Sequence, residues 1–390
     1  RRFLYLAHHA DGGKSLMLAE PGRAPRVVGP IASDAQLLES GLLLFVREGT
    51  LLGQRFDPVA AHLRGDPFPV APSVDYFLSN GRAAFSASSA GVVATHTGED
   101  RSRFVWFDRS GKAGDTVGTD GRYMQMVLSP DGRQLLFSRA RPGLGTHDVW
   151  TLDLVRGGET RITSDPDTET AGSWLPDQHA IFYSAVRGSP PRLHRLDLVT
   201  GRDEEMLPGT AFQEAQDVSP DGRTLAFVER DAKKSGHFEA FTLELDGERR
   251  RAPVYASSFS QGQVRFSPDG RFVAFVSDET GRGEVYVAPF PATGGRVRVS
   301  NDGMWLMRWA RGSGEILYLT DDRRLVSLSV RTSPTLEIGK PSTLFRLPDG
   351  RDWSAFDVTP DGQKFLAVVP QVSGGDIPIT VVSGWSPPVK

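Results

Sequence analysis

The sequence predicts an all-β protein, a β-propeller of four-stranded blades. Two observations lead to this fold class. A Pro-Asp-Gly turn joins two strand-like segments at four places, and its prolines, at positions 130, 220, 268 and 360, are 90, 48 and 92 residues apart. These distances fit one period of roughly 45 residues with several short strands in each period, which is typical of propellers.

The recurring tetrapeptide has the chemistry of a hairpin turn. Proline presets the first corner of the turn, aspartate bonds to nearby backbone, and glycine takes the left-handed position that closes the hairpin. We therefore interpret these residues as structural and not catalytic. They are Pro130, Asp131, Gly132, Pro220, Asp221, Gly222, Pro268, Asp269, Gly270, Pro360, Asp361 and Gly362.

The strands that flank each turn have different patterns. The first strand alternates, with apolar residues two places before the turn proline and mostly polar residues three places before it. The second strand is continuously apolar, as in "TLAF" and "FVAF". A strand covered on both faces has this pattern, and a propeller places such a strand between two neighbouring blades.

Nine second strands can be counted along the 390 residues. The predicted repeat units lie near 1–30, 34–72, 82–118, 123–164, 169–208, 213–256, 261–300, 304–347 and 353–390. They fit a ring of eight or nine blades, or a seven-bladed ring that starts at about Phe68 with two leftover blades before it. The second alternative places a sub-boundary near 68–82.

These repeats resemble the TolB-like, WD-related propellers. The segments "LVRGGETRIT", "SDETGRGEVYVAPFPATGG" and "DIPITVVSGW" resemble the carboxy-terminal propeller of bacterial transmembrane serine/threonine protein kinases. The resemblance covers essentially the whole chain. It implies an extracytoplasmic sensory or docking region, in the periplasm or cell envelope, tethered by a membrane helix that lies upstream of this sequence. Gly312–Gly314 and Pro176–Gln178 depart from the Pro-Asp-Gly pattern.

The sequence lacks the catalytic motifs of protein kinases and of propeller hydrolases. It has no G-x-S-x-G elbow, no H-R-D catalytic loop and no cysteine. The net charge of −3 gives no reason to expect nucleic-acid binding, and no apolar run approaches the roughly 20 residues of a membrane helix. We therefore expect no cofactor, no metal and no membrane insertion by this segment.

Three functions remain open at this point. The first is a non-catalytic module that senses a ligand or binds a protein as part of a signalling kinase. The second is a free-standing TolB-like scaffold of the cell envelope, and the third is a propeller enzyme, a lyase or lactonase acting at the central channel. The third requires a cluster of His, Asp and Glu at the start of the inner strands, where only Glu169 is found.

A candidate binding site lies seven residues before each turn proline, where an inner strand begins. These positions carry aromatic, amide, thioether and carboxylate side chains, which suit a protein or peptide partner or a small polar ligand. They are predicted to surround the mouth of the channel. The residues are Tyr123, Glu169, Gln213, Gln261, Met304 and Trp353.

Overall fold

A computed structural model describes residues 2–9, 14–31, 33–77, 81–89, 91–96, 101–141, 146–187, 190–209, 211–230, 237–348, 355–371 and 379–385. Every regular element in these residues is a β-strand. The predicted all-β class is therefore confirmed.

The strands are numbered in chain order. The first eleven are β1 Phe3–His8, β2 Lys14–Ala19, β3 Arg26–Gly29, β4 Ala35–Leu37, β5 Leu42–Arg47, β6 Thr50–Asp57, β7 His62–Ala71, β8 Tyr76–Phe77, β9 Arg82–Ala83, β10 Phe85–Ala87 and β11 Val93–His96. The next fourteen are β12 Ser102–Asp108, β13 Ala113–Gly121, β14 Tyr123–Leu128, β15 Gln134–Ala140, β16 His147–Asp153, β17 Glu159–Arg161, β18 Glu169–Trp174, β19 Ala180–Ala185, β20 Arg192–Asp197, β21 Asp203–Glu205, β22 Phe212–Val218, β23 Thr224–Arg230, β24 Phe238–Glu244 and β25 Arg251–Pro253. The last twelve are β26 Gln261–Phe266, β27 Phe272–Ser277, β28 Glu284–Pro289, β29 Val297–Arg298, β30 Leu306–Ala310, β31 Glu315–Leu319, β32 Arg324–Arg331, β33 Glu337–Ile338, β34 Ser342–Arg346, β35 Ala355–Val358, β36 Lys364–Pro370 and β37 Ile379–Val382.

The strands belong to two compact units. The small unit comprises residues 1–100, 140–147 and 374–390, and the large unit comprises residues 101–139 and 148–373. In the small unit, β4–β7 form a four-stranded sheet, β1–β3 form a three-stranded sheet, β37 pairs with β11 beside β10, and β8 pairs with β9. The predicted strand near Val92 therefore belongs to a sheet of the small unit.

The large unit contains six antiparallel sheets, which we call blades 1 to 6. Blades 1 to 4 are β14–β17, β18–β21, β22–β25 and β26–β29, in strand order. Blade 5 contains β30–β34, with β33 and β34 both paired with β32. Blade 6 has the order β35-β36-β12-β13, so it combines strands from the two ends of the unit.

The six blades of the large unit form a closed ring. The inner strands β14, β18, β22, β26, β30 and β35 contact one another in this order, and β35 also contacts β14. The ring is smaller than the seven, eight or nine blades expected from the sequence. The reason is that β12 and β13 pair with β36 and complete the last blade, instead of continuing the unit predicted at 82–118.

The hairpin turns have the bonding that the tetrapeptide predicts. At the first turn, Asp131 Oδ1 accepts bonds from Ser129 Oγ at 2.6 Å and from the backbone N–H of Arg133 at 3.0 Å, and Gly132 has φ 70°. The same bonds recur at the turns of Asp221, Asp269 and Asp361. In the departing "LPDQ" turn, Gln178 takes the left-handed position with φ 65°.

The second strands form the core between blades. The strand β19 is buried along its whole length, and the central residues of β15, β23 and β27 are buried as well. One apolar cluster, for example, contains Phe182 of blade 2 together with Phe227 of blade 3. Because each second strand is covered on both faces, the inner strands are held in fixed register around the axis.

Candidate functional site on the axis of the ring

Most inner strands contain a β-bulge, which changes the side that each residue faces. The register shifts within β14, β18, β22 and β26, where one extra residue is inserted opposite the second strand. Such an insertion reverses the alternation of side chains on either side of it. Residues before the bulge therefore face the opposite side of the sheet from the one that strict alternation would predict.

Toward its end, each inner strand has one residue in an equivalent position. These residues lie three places before the turn position, where the sequence is mostly polar. All but Ser173 line one cavity of ≈ 60 Å³, which we call the axial cavity. The six residues are Val127, Ser173, Asp217, Arg265, Arg308 and Asp357.

Ion pairs link the blades across the axial cavity. Arg308 Nε lies 3.3 Å from Asp357 Oδ1, and both side chains are about nine-tenths buried. Arg311 Nη2 lies 3.1 Å from Asp217 Oδ1. Arg311 occupies the place that a proline holds in the regular turns, so the departing hairpin of blade 5 supplies an additional cation to the axis.

The two aspartates also join neighbouring inner strands. Asp357 Oδ2 accepts a bond of 2.7 Å from the backbone N–H of Leu128, and Asp217 Oδ2 accepts one of 2.9 Å from that of Phe266. Each carboxylate therefore stabilises a backbone group of the following blade and balances an arginine. The charged side chains on the axis therefore both stabilise the ring and form the candidate site.

The arginines are held by backbone carbonyls. Arg265 donates to the carbonyls of Gln216 and Val264, both at 2.7 Å. Arg308 donates to the carbonyl of Met307 at 2.9 Å and reaches that of Met126 at 3.4 Å. Burial, together with repulsion from Arg308, lowers the pKa of Arg265 to about 10.

A second polar layer crosses the axis nearer the starts of the inner strands. Gln125 of blade 1 donates a bond of 2.7 Å to Glu214 of blade 3, past the intervening strand of blade 2. Gln216 donates to the same carboxylate oxygen at 3.1 Å. Burial raises the pKa of Glu214, and the two amides act in the opposite direction. Side chains thus bridge the axis at two levels.

The residues predicted to line the mouth, as far as the structure describes them, are buried against their own or neighbouring blades. Tyr123 packs on Phe104 with ring centroids 4.2 Å apart, and Glu169 accepts a bond of 2.8 Å from Thr163 Oγ1. Gln261 donates to the carbonyl of Tyr255 at 2.8 Å.

Of the other three predicted residues, Trp353 lies outside the described residues. Gln213 donates to Glu229 Oε2 at 3.3 Å, and Met304 belongs to an apolar cluster between blades 4 and 5. A ligand-binding role for the predicted set stays a prediction. In β14, β18, β22 and β26 the bulge lies after the predicted residue, so that residue faces the other side from the one that strict alternation gives.

Sequence reasoning missed three exposed apolar side chains at the starts of inner strands. Met124, Phe259 and Trp305 are 46%, 43% and 41% exposed. Met124 and Trp305 directly follow the predicted Tyr123 and Met304, so an allowance for the bulge would have identified the first of them. Gln263 fixes Trp305 in place by donating to its carbonyl, and it accepts a bond of 2.8 Å from Met307 N–H. We call Met124, Phe259 and Trp305 the mouth residues.

The described residues contain neither a metal-binding cluster nor a membrane-spanning helix. No three of their His, Cys, Asp or Glu side chains are grouped so that they could hold a metal ion. No helix among them has the length and apolar character needed to cross a bilayer.

The fold and the recurring turns define a β-propeller with TolB-like repeats. Residues 109–288 match the family model described as the TolB beta propeller domain. A curated relative, an uncharacterized protein of Agrobacterium fabrum (strain C58 / ATCC 33970), is 26% identical over 153 residues, which are 38% of this chain and 49% of that protein. The match thus spans about half the length of this relative.

A solved structure with a TM-score above 0.5 shows the same fold. A candidate TolB from Agrobacterium tumefaciens has a TM-score of 0.56 and 18% identity, over 71% of this chain and 100% of that chain. TolB from Acinetobacter baumannii has a TM-score of 0.49 and 14% identity, over 86% of this chain and 78% of that chain. At this identity the first likeness shows the fold alone. The chain is a β-propeller, and its residues 109–288 match the TolB beta propeller domain.

Proposed function

We propose that this protein is a non-catalytic interaction scaffold that binds a protein or peptide partner at the mouth of its six-bladed ring. The main support is the contrast between the axis and the mouth. Mutually paired side chains cross the axis and leave a cavity of ≈ 60 Å³, too small for a polymer substrate. The mouth residues present large apolar side chains to solvent on the face where the inner strands begin.

The chemistry of the mouth residues fits an extended peptide with an aliphatic or aromatic anchor. Tryptophan and other aromatic residues are enriched among the residues that contribute most to protein interfaces. A methionine thioether adapts to irregular apolar partners. The amide of Gln263 holds the backbone of Trp305, so part of this surface is already ordered before a partner binds.

A scaffold of the cell envelope agrees with the TolB-like repeats of residues 109–288. We accordingly place the protein outside the cytoplasm, in the periplasm or envelope. Attachment to a signalling kinase rests on the sequence resemblance alone and stays a prediction. A lyase or lactonase would require an acid–base group with space for substrate, and the charged axial residues are instead engaged with one another.

Peptide selection from a random display library tests the proposed function. We expect selected peptides to bind the purified chain and to lose at least about tenfold in affinity on Trp305→Ala, because an aromatic anchor at an interface contributes roughly 2 kcal/mol. Val199→Ala is a matched control, since Val199 is 81% exposed in a different part of the large unit.

The control should leave peptide affinity unchanged. The proposal would be overturned if no peptide is selected, or if the selected peptides bind Trp305→Ala and the parent chain equally well. Circular dichroism and thermal melting of both variants should match the parent, because both side chains are exposed and substitutions of this kind change stability little.

A further inference from the structure

The axial cavity contains buried hydrogen-bond donors that lack a partner among the described residues. Trp309 is 6% exposed and its Nε1–H makes no hydrogen bond. Arg308 is 8% exposed; its Nε contacts Asp357 as an ion pair, but without the geometry of a hydrogen bond. Both residues line the axial cavity. Because an indole N–H can only donate, a ligand that bonds to Trp309 must supply an acceptor.

The two carboxylates that line the cavity have few free acceptor positions for the N–H of Trp309 or of Arg308. In Asp357, Oδ2 bonds to Leu128 N–H, while Oδ1 bonds to Val358 N–H and faces Arg308. In Asp217, Oδ2 bonds to a backbone N–H and Oδ1 to Arg311. Each oxygen of these two carboxylates therefore already has a partner.

The charges around the cavity also leave an excess of positive charge. Three arginines line it, Arg265, Arg308 and Arg311, against the two aspartates. Arg265 and Arg308 repel each other strongly enough to contribute to the lowered pKa of Arg265. Glu214 of the second polar layer also interacts with Arg265, but it does not line the cavity, and its carboxylate oxygen Oε1 is held by the amides of Gln125 and Gln216.

We propose that the axial cavity binds a carboxylate group. In a volume of ≈ 60 Å³ there is room for a group of about three or four heavy atoms, since one water needs roughly 10–15 Å³ on this measure. A carboxylate carries one charge and presents two oxygens in a plane, which matches the planar donor fork of a guanidinium. A phosphate has five heavy atoms, more than the three or four for which this volume has room.

The cavity is reached from the end of the ring that carries the turns. Ser129, Pro130 and Pro360 of two hairpin turns are part of its lining. The mouth residues lie at the opposite ends of the inner strands, so this site does not depend on the proposed function. The carboxylate can come from a small free acid or from the C-terminus of a peptide.

Titration with sodium acetate tests the site, with sodium chloride at equal ionic strength as the reference. The readout is the indole N–H signal of Trp309 in a nitrogen-15 NMR spectrum, assigned by its loss in Trp309→Phe. We expect a saturable shift in the millimolar range with acetate, the weak affinity that suits so small a ligand. We also expect the affinity measured by calorimetry to fall about tenfold in Trp309→Phe, because a hydrogen bond to a charged group is lost.

Two controls separate this site from the mouth and identify the source of the carboxylate. Trp305→Phe should bind acetate as the parent does, since Trp305 lies outside the axial cavity. A short peptide with a free C-terminus that binds more tightly than acetate, while its amidated form does not bind, supports a peptide terminus. Equal binding of acetate and the free-acid peptide supports a small free acid.

Two results would overturn the proposal. One is an equal shift of the Trp309 signal with chloride and acetate, which would indicate non-selective anion binding. The other is the absence of any saturable shift with acetate. Both can be read from the parent chain, so they hold even if Trp309→Phe folds poorly.

Discussion

Replacing Asp357 with alanine is expected to lower the free energy of unfolding by about 3 kcal/mol, because the change leaves a buried cation without its partner. Arg308 would lose the carboxylate that lies 3.3 Å from its Nε. The backbone N–H of Leu128 would lose its acceptor at the contact between blades 6 and 1. Urea denaturation followed by tryptophan fluorescence measures the loss.

Two variants separate the buried pair from a general effect of removing charge. Asp302→Ala removes a carboxylate that pairs with Arg324 on the surface of the same unit, where both partners are about one-third to one-half exposed. Its expected effect is below about 1 kcal/mol. Asp357→Asn keeps an oxygen for Leu128 and should be less damaging than alanine. If Asp357→Ala unfolds at the same urea concentration as the parent, the axial ion pair does not stabilise the ring.

Replacing Gly172 with valine is expected to destabilise the large unit by about 3 kcal/mol, the upper part of the range for overpacking. Gly172 is the extra residue of the bulge in β18, and Ala215 of the next blade lies close to it. A Cβ atom at this position would lie 2.5 Å from the Cβ of Ala215 and 2.7 Å from the carbonyl oxygen of Phe182. The second contact is with backbone, which cannot move aside easily.

Gly262→Val is the matched control for this prediction. Gly262 also lies at the bulge of an inner strand, but a Cβ atom there would have no neighbour within 4 Å. We expect its unfolding midpoint to stay close to that of the parent. Equal loss of stability in the two variants would show that the close approach at Gly172 has no special role.

The repeated hairpins could be predicted from the sequence because their signals are local. Asp131 and Gly132 act within their own turn, so the chemistry is visible in four consecutive residues. The buried second strands were visible for the same reason. The number of blades was not visible, because the pairing of β12 with β36 joins segments more than 250 residues apart. Nothing in either segment specifies its distant partner.

The described residues of the predicted mouth set are buried, and their ligand-binding role stays a prediction. The mostly polar residues three places before the turn are visible in the sequence, and all of them except Ser173 line the axial cavity. Extending the alternation back to the start of the strand failed at the bulge, so Tyr123 is buried while Met124 is exposed. A bulge has no strong sequence signal here, since Gln263 takes a φ of 49° at a position where glycine would be expected.

The closure of the six-bladed ring by β12 and β36 is the central claim, and a single disulfide can test it. The natural chain has no cysteine, so Asp108→Cys with Lys364→Cys would contain the only two thiols. These exposed residues are direct partners in the antiparallel register of the two strands. We expect mild oxidation to link them within the monomer, giving a shifted band on a non-reducing gel and a higher melting temperature. The pair Val199→Cys with Lys364→Cys should remain reduced. If the first pair stays reduced while both thiols react with a maleimide, the ring is not closed in this way.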